Sequence, residues 1–538
     1  MPPQTRSSLR IAVQWSGLIG GPLLAYIVWL LLPEEFESVR RVATKLADGA
    51  ESVKYVEAAR EFTAAGRTTL AMMVWMAVWW LTEAIDIEVT ALLPLVAFPL
   101  LGVADMKSAA APFANEIIFL FMGGFFLAAS MTRWGLDRRI ALRTVRLVGT
   151  SPTRMVGGFM LATAMLSAFV SNTATCAMML PIAVSVINLV RQQRGQAPAA
   201  AGSDDPARQL GNFGLCMMLG IAYAASIGGL ATIIGTPPNA FLVGFLRKDI
   251  ADEFRMDVTF GQWLLIGVPL VAVFLPIAWL LLTRVLFRVG DAPIEGGRQV
   301  IDDEYRKLGP TAPGEWITLT VFALTAALWI GQPWISKIEI TVGGAKQLPL
   351  RNLTDGTIAM LGAMLLFLIP IKPREGVFAM NWKTAENIPW GVLILFGGGL
   401  SLAEAVKVNG VAEYIGSIAT SFQGGSPLQL ALAVTTIVIF LTELTSNTAT
   451  TAALVPVMAA LAPGLDVHPY LLVFPTCLAA SCAFMLPVGT PPNAMVFGSG
   501  YVTIPQMCKA GFWLNVIGIL LITLLSMLVL GPVLGVRW

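Results

Sequence analysis

The sequence predicts an all-α polytopic membrane protein built from two inverted repeats, with a re-entrant hairpin and a broken helix in each. Three observations predict it. First, 56% of the 538 residues are hydrophobic and only 13% are charged, whereas a soluble chain carries about 25% charge. Long apolar runs separated by short charged loops are the mark of membrane helices. Second, two polar phrases each occur twice, in the same order. Ser171-Asn172-Thr173-Ala174-Thr175 recurs as Ser446-Asn447-Thr448-Ala449-Thr450, and Gly235-Thr236-Pro237-Pro238-Asn239-Ala240 recurs as Gly489-Thr490-Pro491-Pro492-Asn493-Ala494. In a bilayer, non-helical polar backbone is tolerated only where protein buries it or it lines a cavity. A matched pair of such interruptions points to a transporter's binding site. Third, arginines crowd one repeat and not the other.

The elements follow in order. Residues 1–67 hold a first membrane helix (Ile11 to Leu32, after Arg6 and Arg10) and a charged, helix-prone interfacial segment from Glu34 to Arg67. The apolar run is long enough to span and no small-residue cleavage site follows it, which predicts a retained helix with a cytoplasmic N-terminus. Repeat 1 occupies 68–290. Its apolar runs at 68–85, 87–104 and 115–132 lead into a stretch where Arg133, Arg138, Arg139, Arg143 and Arg146 interleave with Leu136, Ile140, Leu142, Val145 and Leu147. That spacing predicts a basic amphipathic helix lying along the membrane surface. Residues 155–190 are apolar except at the Ser-Asn-Thr centre. Each arm has roughly 16 residues, short of the about 20 a span needs, so the segment reads as a re-entrant hairpin. A loop at 191–211 precedes a broken helix over 212–247. Pro237 and Pro238 lack backbone donors, so the helix must stop there. A further span covers 260–287.

A cytoplasmic linker, 291–314, separates the repeats. Repeat 2 (315–538) restarts the pattern with spans near 315–333, 356–371 and 388–406. A hairpin at 427–461, a broken helix at 470–500 and a last span at 511–536 complete it. An offset of 275 residues aligns Phe121 with Phe396, Gly123-Gly124 with Gly398-Gly399, Gly135 with Gly410, Pro181 with Pro456 and the Ser-Asn-Thr phrases with each other. The Gly-Thr-Pro-Pro-Asn phrases align at 254, which a minimal counterpart of the 191–211 loop explains. Constant register over so long a stretch marks internal duplication. Segment 132–154 carries six arginines against Asp137, and its counterpart 407–429 carries Lys407 against Glu413. The positive-inside rule places the first in the cytoplasm, and a count of eleven spans puts the two hairpins on opposite sides.

Asn and Thr at the hairpin tips offer amide and hydroxyl groups, and the helix that begins after each tip turns free N–H groups toward it. That arrangement suits a carboxylate. The Gly-Thr-Pro-Pro-Asn breaks expose carbonyls that, with Ser, Thr and Asn oxygens, suit a hard cation. The ligands are neutral and no acids cluster near them, so sodium is the natural ion. Other features have plainer readings. Glu443, one turn from the second tip and matched by Ala168, reads as a structural hydrogen-bonding group. His468 precedes Pro469 and reads as a cap. The glycine runs Gly123-Gly124 and Gly397-Gly398-Gly399 read as close helix packing. Trp75, Trp79, Trp80 and Trp538 read as interfacial anchors, and the five cysteines as small core residues. One histidine and no acid pair near the motifs argue against a membrane-embedded enzyme.

At these residues the chain resembles the divalent anion/sodium symporter family, carriers of succinate, malate, fumarate, citrate and, in some branches, sulfate. The resemblance covers nearly all of the chain after residue 68. It implies eleven membrane helices plus two re-entrant hairpins, a homodimer in the inner (plasma) membrane, and a transport domain moving like an elevator against a scaffold. It implies a first sodium site of Ser167, Ser171, Asn172 and the Gly235 carbonyl. The second would comprise Thr442, Ser446, Asn447 and the Gly489 carbonyl. Substrate carboxylates would be held by Asn172, Thr173, Asn447 and Thr448, with Thr490 and Pro491 alongside. The implied activity is sodium-coupled uptake of C4-dicarboxylates, with no cofactor beyond the coupling ions and no nucleic-acid partner. A sodium-independent exchanger or a sulfate symporter of the same fold is the alternative.

Overall fold

The computed structural model describes residues 8–45, 51–149, 151–194, 206–290, 297–342, 345–422 and 424–536. Arg6, Trp538, positions 195–205 of the first repeat's loop and 291–296 of the linker lie outside the described residues. The chain is mostly helical, and seven helices among the described residues are long and apolar enough to cross a membrane.

Helix α1 (Ser8–Leu31) packs on α2 (Ala64–Thr82). Gly21 gives room for the Trp75 and Trp79 rings, because a Cβ there would stand 2.7 Å from Trp79. The anchor reading fails for Trp80. Its ring is fully buried and its Nε1–H donates to the Ile87 carbonyl at 3.1 Å. The segment between these helices is also not helical. Strands β1 (Glu35–Lys45) and β2 (Glu51–Glu61) pair antiparallel, with Phe36 opposite Arg60. Charged residues set its helix-like composition, but Val39, Val42, Val53 and Val56 favour strand. Tertiary packing then fixes the hairpin. Phe36 and Phe62 cluster with Tyr414, and Arg60 pairs with Glu413 at 2.8 Å. Two small ladders at 340–347 and 370–378 are further departures from an all-α chain.

The run predicted as one span at 87–104 is two helices, α3 (Ile87–Ala91) and α4 (Leu93–Leu100), interrupted where Pro94 removes a backbone donor. Then come α5 (Met106–Ala110), α6 (Glu116–Trp134) and the basic α7 (Leu136–Val148). The first hairpin is α8 (Pro152–Ser167) and α9 (Asn172–Arg194). Its broken helix is α10 (Pro206–Gly229) and α11 (Pro237–Gly244), followed by α12 (Phe260–Leu280).

The linker contributes α13 (Gly297–Lys307), and α14 (Pro313–Ile335), α15 (Asp355–Leu368), α16 (Trp382–Ala385), α17 (Trp390–Val408) and α18 (Val411–Ala419) follow. The second hairpin is α19 (Pro427–Thr442) and α20 (Asn447–Gly464). The second broken helix is α21 (Tyr470–Ala480) and α22 (Pro491–Gly498), and the chain closes with α23 (Ile504–Leu528) and α24 (Leu530–Leu534). The hairpin arms α8 and α19 keep the 275-residue offset at both ends, and α11 and α22 keep the 254-residue offset. Gly135 and Gly410, which align, both adopt φ of +73° at a helix junction, where any other residue would be strained.

The glycine runs are packing surfaces. A Cβ on Gly123 would stand 2.6 Å from the Ala359 backbone, and one on Gly398 would stand closer still to that of Ala91. Helix α7 is amphipathic, as predicted, and its arginines face protein. Arg138 pairs with Glu304 at 2.7 Å and Arg146 with Asp302 at 2.7 Å, while Arg143 bonds the Tyr305 hydroxyl. Arg139 is buried and forks onto Glu315. Outside the membrane spans, Lys307 and then Arg138 hold the Glu304 carboxyl below the usual carboxylate range.

Candidate functional site

The two tips are built alike. Helix α8 ends because Ala168 to Ser171 leave helical register, and α9 restarts at Asn172. Ser171 supports the restart, its Oγ accepting the Ala174 N–H at 3.3 Å. Ser167 Oγ stands 2.6 Å from Asn172 Oδ1 and 2.7 Å from the carbonyl of Ala225. In the second repeat Thr442 Oγ1 stands 2.9 Å from Asn447 Oδ1 and 2.7 Å from the carbonyl of Ala480. Each of these hydroxyls carries one proton and faces two acceptor oxygens. Only one of the two contacts can be a hydrogen bond, so each tip gathers an excess of oxygen lone pairs.

The breaks are stapled the same way in both halves. Asn239 Nδ2 donates to the carbonyls of Gly229 (3.1 Å) and Thr232 (2.8 Å). Asn493 Nδ2 donates to those of Ala483 (3.1 Å) and Leu486 (3.0 Å). Each amide bridges a stretch that has lost its helical partners. These two asparagines close the Gly-Thr-Pro-Pro-Asn phrase, and the sequence reading gave them no separate role. Their position at the end of a repeated phrase was the available signal.

The oxygens at the first break lie beside Asn172. A Cβ on Gly229 would meet Asn172 Oδ1 at 2.9 Å and the Gly235 carbonyl at 3.2 Å. Gly235 itself lies 3.0 Å, by the same measure, from the Ala168 carbonyl. Ser167, Asn172 and Gly235 therefore converge. Ser171 and Thr173 are exposed on the tip. In the second repeat Thr442 and Asn447 meet, Ser446 and Thr448 are half-buried, and Gly489 lies against the Glu443 carboxyl. Thr490 caps α22, its Oγ1 accepting the Asn493 N–H at 3.3 Å, and Pro491 is exposed beside it.

The repeats also cross. Helix α9, whose first residue is Asn172, packs on α22, and α20, whose first residue is Asn447, packs on α11. Cys176 Sγ lies 3.9 Å from the Pro492 carbonyl, and Cys477 Sγ lies 3.7 Å from Asn239 Oδ1. Each tip is thus held by its own break and by the short helix of the other repeat.

Glu443 has the structural role read for it. Its carboxylate accepts the N–H groups of Phe484 (2.7 Å), Met485 (2.9 Å) and Leu486 (3.1 Å), and the amide of Asn515 at 2.8 Å. Asn515, on α23, gave no signal beyond being a lone amide in an apolar run. His468 Nδ1 accepts the Tyr470 N–H at 3.3 Å, as a cap does.

A family model described as the sodium:sulfate symporter transmembrane region matches residues 55–536. The chain belongs to that family. Its members are transporters, and this chain is a membrane transport protein rather than an enzyme. The sodium-dependent dicarboxylate transporter SdcS of Staphylococcus saprophyticus is 41% identical over 472 residues, 88% of this chain and 87% of that one. SdcS of Staphylococcus aureus is 41% identical over 473 residues, with the same shares. Two solved structures share the fold at low identity. The YdaH transporter of Alcanivorax borkumensis has a TM-score of 0.55 at 15% identity, covering 99% of both chains. MtrF of Neisseria gonorrhoeae has a TM-score of 0.52 at 12% identity, covering 96% of this chain and 94% of that one.

Proposed function

We propose that this protein couples sodium influx to the uptake of C4-dicarboxylates of the succinate, malate and fumarate class. The observation that carries the reading is the pair of oxygen clusters. A neutral hydroxyl, an amide oxygen and a backbone carbonyl, of Ala225 on α10 or Ala480 on α21, meet twice, with fewer protons than acceptors, and a small hard cation satisfies such a set. The first sodium ion is held by Ser167, Ser171, Asn172 and the Gly235 carbonyl, the second by Thr442, Ser446, Asn447 and the Gly489 carbonyl. The substrate carboxylates lie against Asn172 and Thr173 at one tip and Asn447 and Thr448 at the other, with Thr490 and Pro491 beside them. The helix starts at the tips turn N–H groups toward those carboxylates, and the bound sodium ions supply the positive charge.

Eleven membrane helices with two re-entrant hairpins, inverted with respect to each other, suit alternating access. The remaining parts of the reading are a homodimer in the inner (plasma) membrane, a cytoplasmic N-terminus, and a hairpin-bearing domain that moves like an elevator. The identity to the SdcS proteins favours dicarboxylate over sulfate, although the family description names sulfate. Reconstituted protein should take up labelled succinate when sodium is present outside and not when choline replaces it. Excess sulfate should compete weakly. Equal uptake in choline would overturn the sodium coupling, and uptake blocked by sulfate but not by fumarate would overturn the substrate class.

A further inference from the structure

Away from the two tips, the segment after the first broken helix buries an acid that the coupling scheme does not use. Helix α11 continues through one wide π-helical turn, Phe245–Asp249, which packs against α17. Asp249 is 3% exposed, and both of its carboxyl oxygens lack a donor partner. Glu404, on the α17 helix packed against this turn, is its neighbouring acid, and the buried Glu404 Oε2 is likewise without a donor.

The charges around the pair are accounted for. Lys407 on α17 gives its ammonium to the Lys248 carbonyl at 3.1 Å and to Asp252 at 2.5 Å. Lys248 is exposed. Arg247 turns away to Glu116 and Asp257, and Arg255 joins Lys407 on Asp252. Helix α11 itself carries no titratable side chain. Asp249 and Glu404 therefore face each other with Lys248 and Lys407 as the nearest cations, neither bonded to them.

Two neighbouring carboxylates in a dry site do not both stay ionised readily, and the usual resolution is one proton held between them. We propose that Asp249 and Glu404 form a proton-binding site, one shared proton tying the segment after α11 to α17, and that loss of the proton drives the two apart. Its effect on uptake rests on the transport reading above, because it makes the cycle sensitive to pH on the side where α17 ends. The site itself does not depend on that reading.

The test uses the full-length protein in detergent. Melting temperature is followed from about pH 6 to about pH 9 for wild type, Asp249→Asn and Glu404→Gln. The folded state holds a proton that the unfolded chain releases at the ordinary carboxylate pH. The site's stabilisation is therefore greatest in acid and is lost as pH rises through the folded-state value. Wild type should lose several degrees more than either variant across the range, since an amide beside a carboxylate keeps the contact without a proton. Parallel curves for all three proteins would overturn the site. A sodium-dependent rise in melting temperature that only the variants lose, with no pH effect, would replace the proton with a metal and overturn it too. If both variants fail to fold, infrared spectra of wild type decide. A protonated-carboxyl band present near pH 6 and absent near pH 9 supports the site, and no such band overturns it. Wild type that melts as expected but shows no sodium-coupled dicarboxylate uptake would refute the transport reading alone.

Discussion

The two hairpin tips reach the same oxygen geometry by different supports. Behind the first tip, the Thr232 hydroxyl donates to the carbonyl of Ala168, and the chain from Leu230 to Gly235 folds as linked tight turns. Behind the second, the position of Ala168 is taken by Glu443, and the chain from Cys482 to Leu486 is open. Its N–H groups end on the carboxylate. The hydroxyl–amide–carbonyl cluster in front is unchanged. Duplication preserved the oxygen cluster and let the backing diverge. A carboxyl stands close behind the oxygens of the second tip and an alanine takes its place behind the first, so matched oxygens sit in unequal surroundings.

The comparison breaks first at the asparagines. Asn172→Ala and Asn447→Ala should each reduce sodium-driven succinate uptake by at least about tenfold, since ~1.4 kcal/mol of lost ion or substrate affinity is a factor of ten. Both proteins should remain folded by size-exclusion chromatography. Full uptake in either one would mean that the matched tips are not matched in function.

The supports should differ in strength. Glu443→Gln leaves an amide facing three backbone donors and Asn515. Its cost should be about 2–3 kcal/mol, the scale of bonds to a charged acceptor. Thr232→Val removes one hydroxyl bond at the equivalent place and should cost about 1 kcal/mol. Thermal melting of the purified proteins measures both. Equal losses would show that the carboxylate is not the stronger brace. Uptake at limiting sodium should also suffer more from Glu443→Gln than from Thr232→Val.

The smallest expected effect is a gain. Thr450 shares a hydrogen bond with Thr445 at 2.7 Å, but its counterpart Thr175 is buried with no partner because Val170 stands where Thr445 would be. Val170→Thr should restore the pair. Thr445 also bonds the Leu441 carbonyl, and Leu166 provides the equivalent one. The variant should melt higher by the equivalent of about 0.5–1 kcal/mol. No change or a lower melting point would mean that the first tip is packed differently from the second around this site.

What was legible in the sequence follows from the solvent. Polar and proline-containing phrases inside apolar runs have few explanations in a bilayer, so the interruptions stood out, and helices do start anew at Asn172, Asn447, Pro237 and Pro491. Ser167–Asn172 and Thr442–Asn447 were assigned together and do meet. The β1–β2 hairpin was hidden because a charged segment outside the membrane obeys no such constraint, and its fold depends on Phe36 finding Phe62 and Tyr414. The interruption between α3 and α4 was hidden because Pro94 sits in a run whose apolar character never lapses. Asn515 and the Asp249–Glu404 pair were hidden for a third reason. Their partners lie 72 residues away just past the end of α19 in the first case and on the opposite repeat in the second, and no local pattern announces either.

The ion pairs on α7 have a consequence in time. Arg138 and Arg139 end up bonded to Glu304 and Glu315, which lie 166 and 176 residues later in the chain. At a synthesis rate of about 5–20 residues per second, the arginines wait roughly 8–35 s for those acids. During that interval they are bare cations ahead of the first hairpin, and such a cluster resists passage across a membrane. Once α13 and the start of α14 emerge, the same side chains become internal clamps that fasten the linker to the first repeat. The same residues are thus unpaired charges while the first repeat is made and clamps between the halves once the chain is complete.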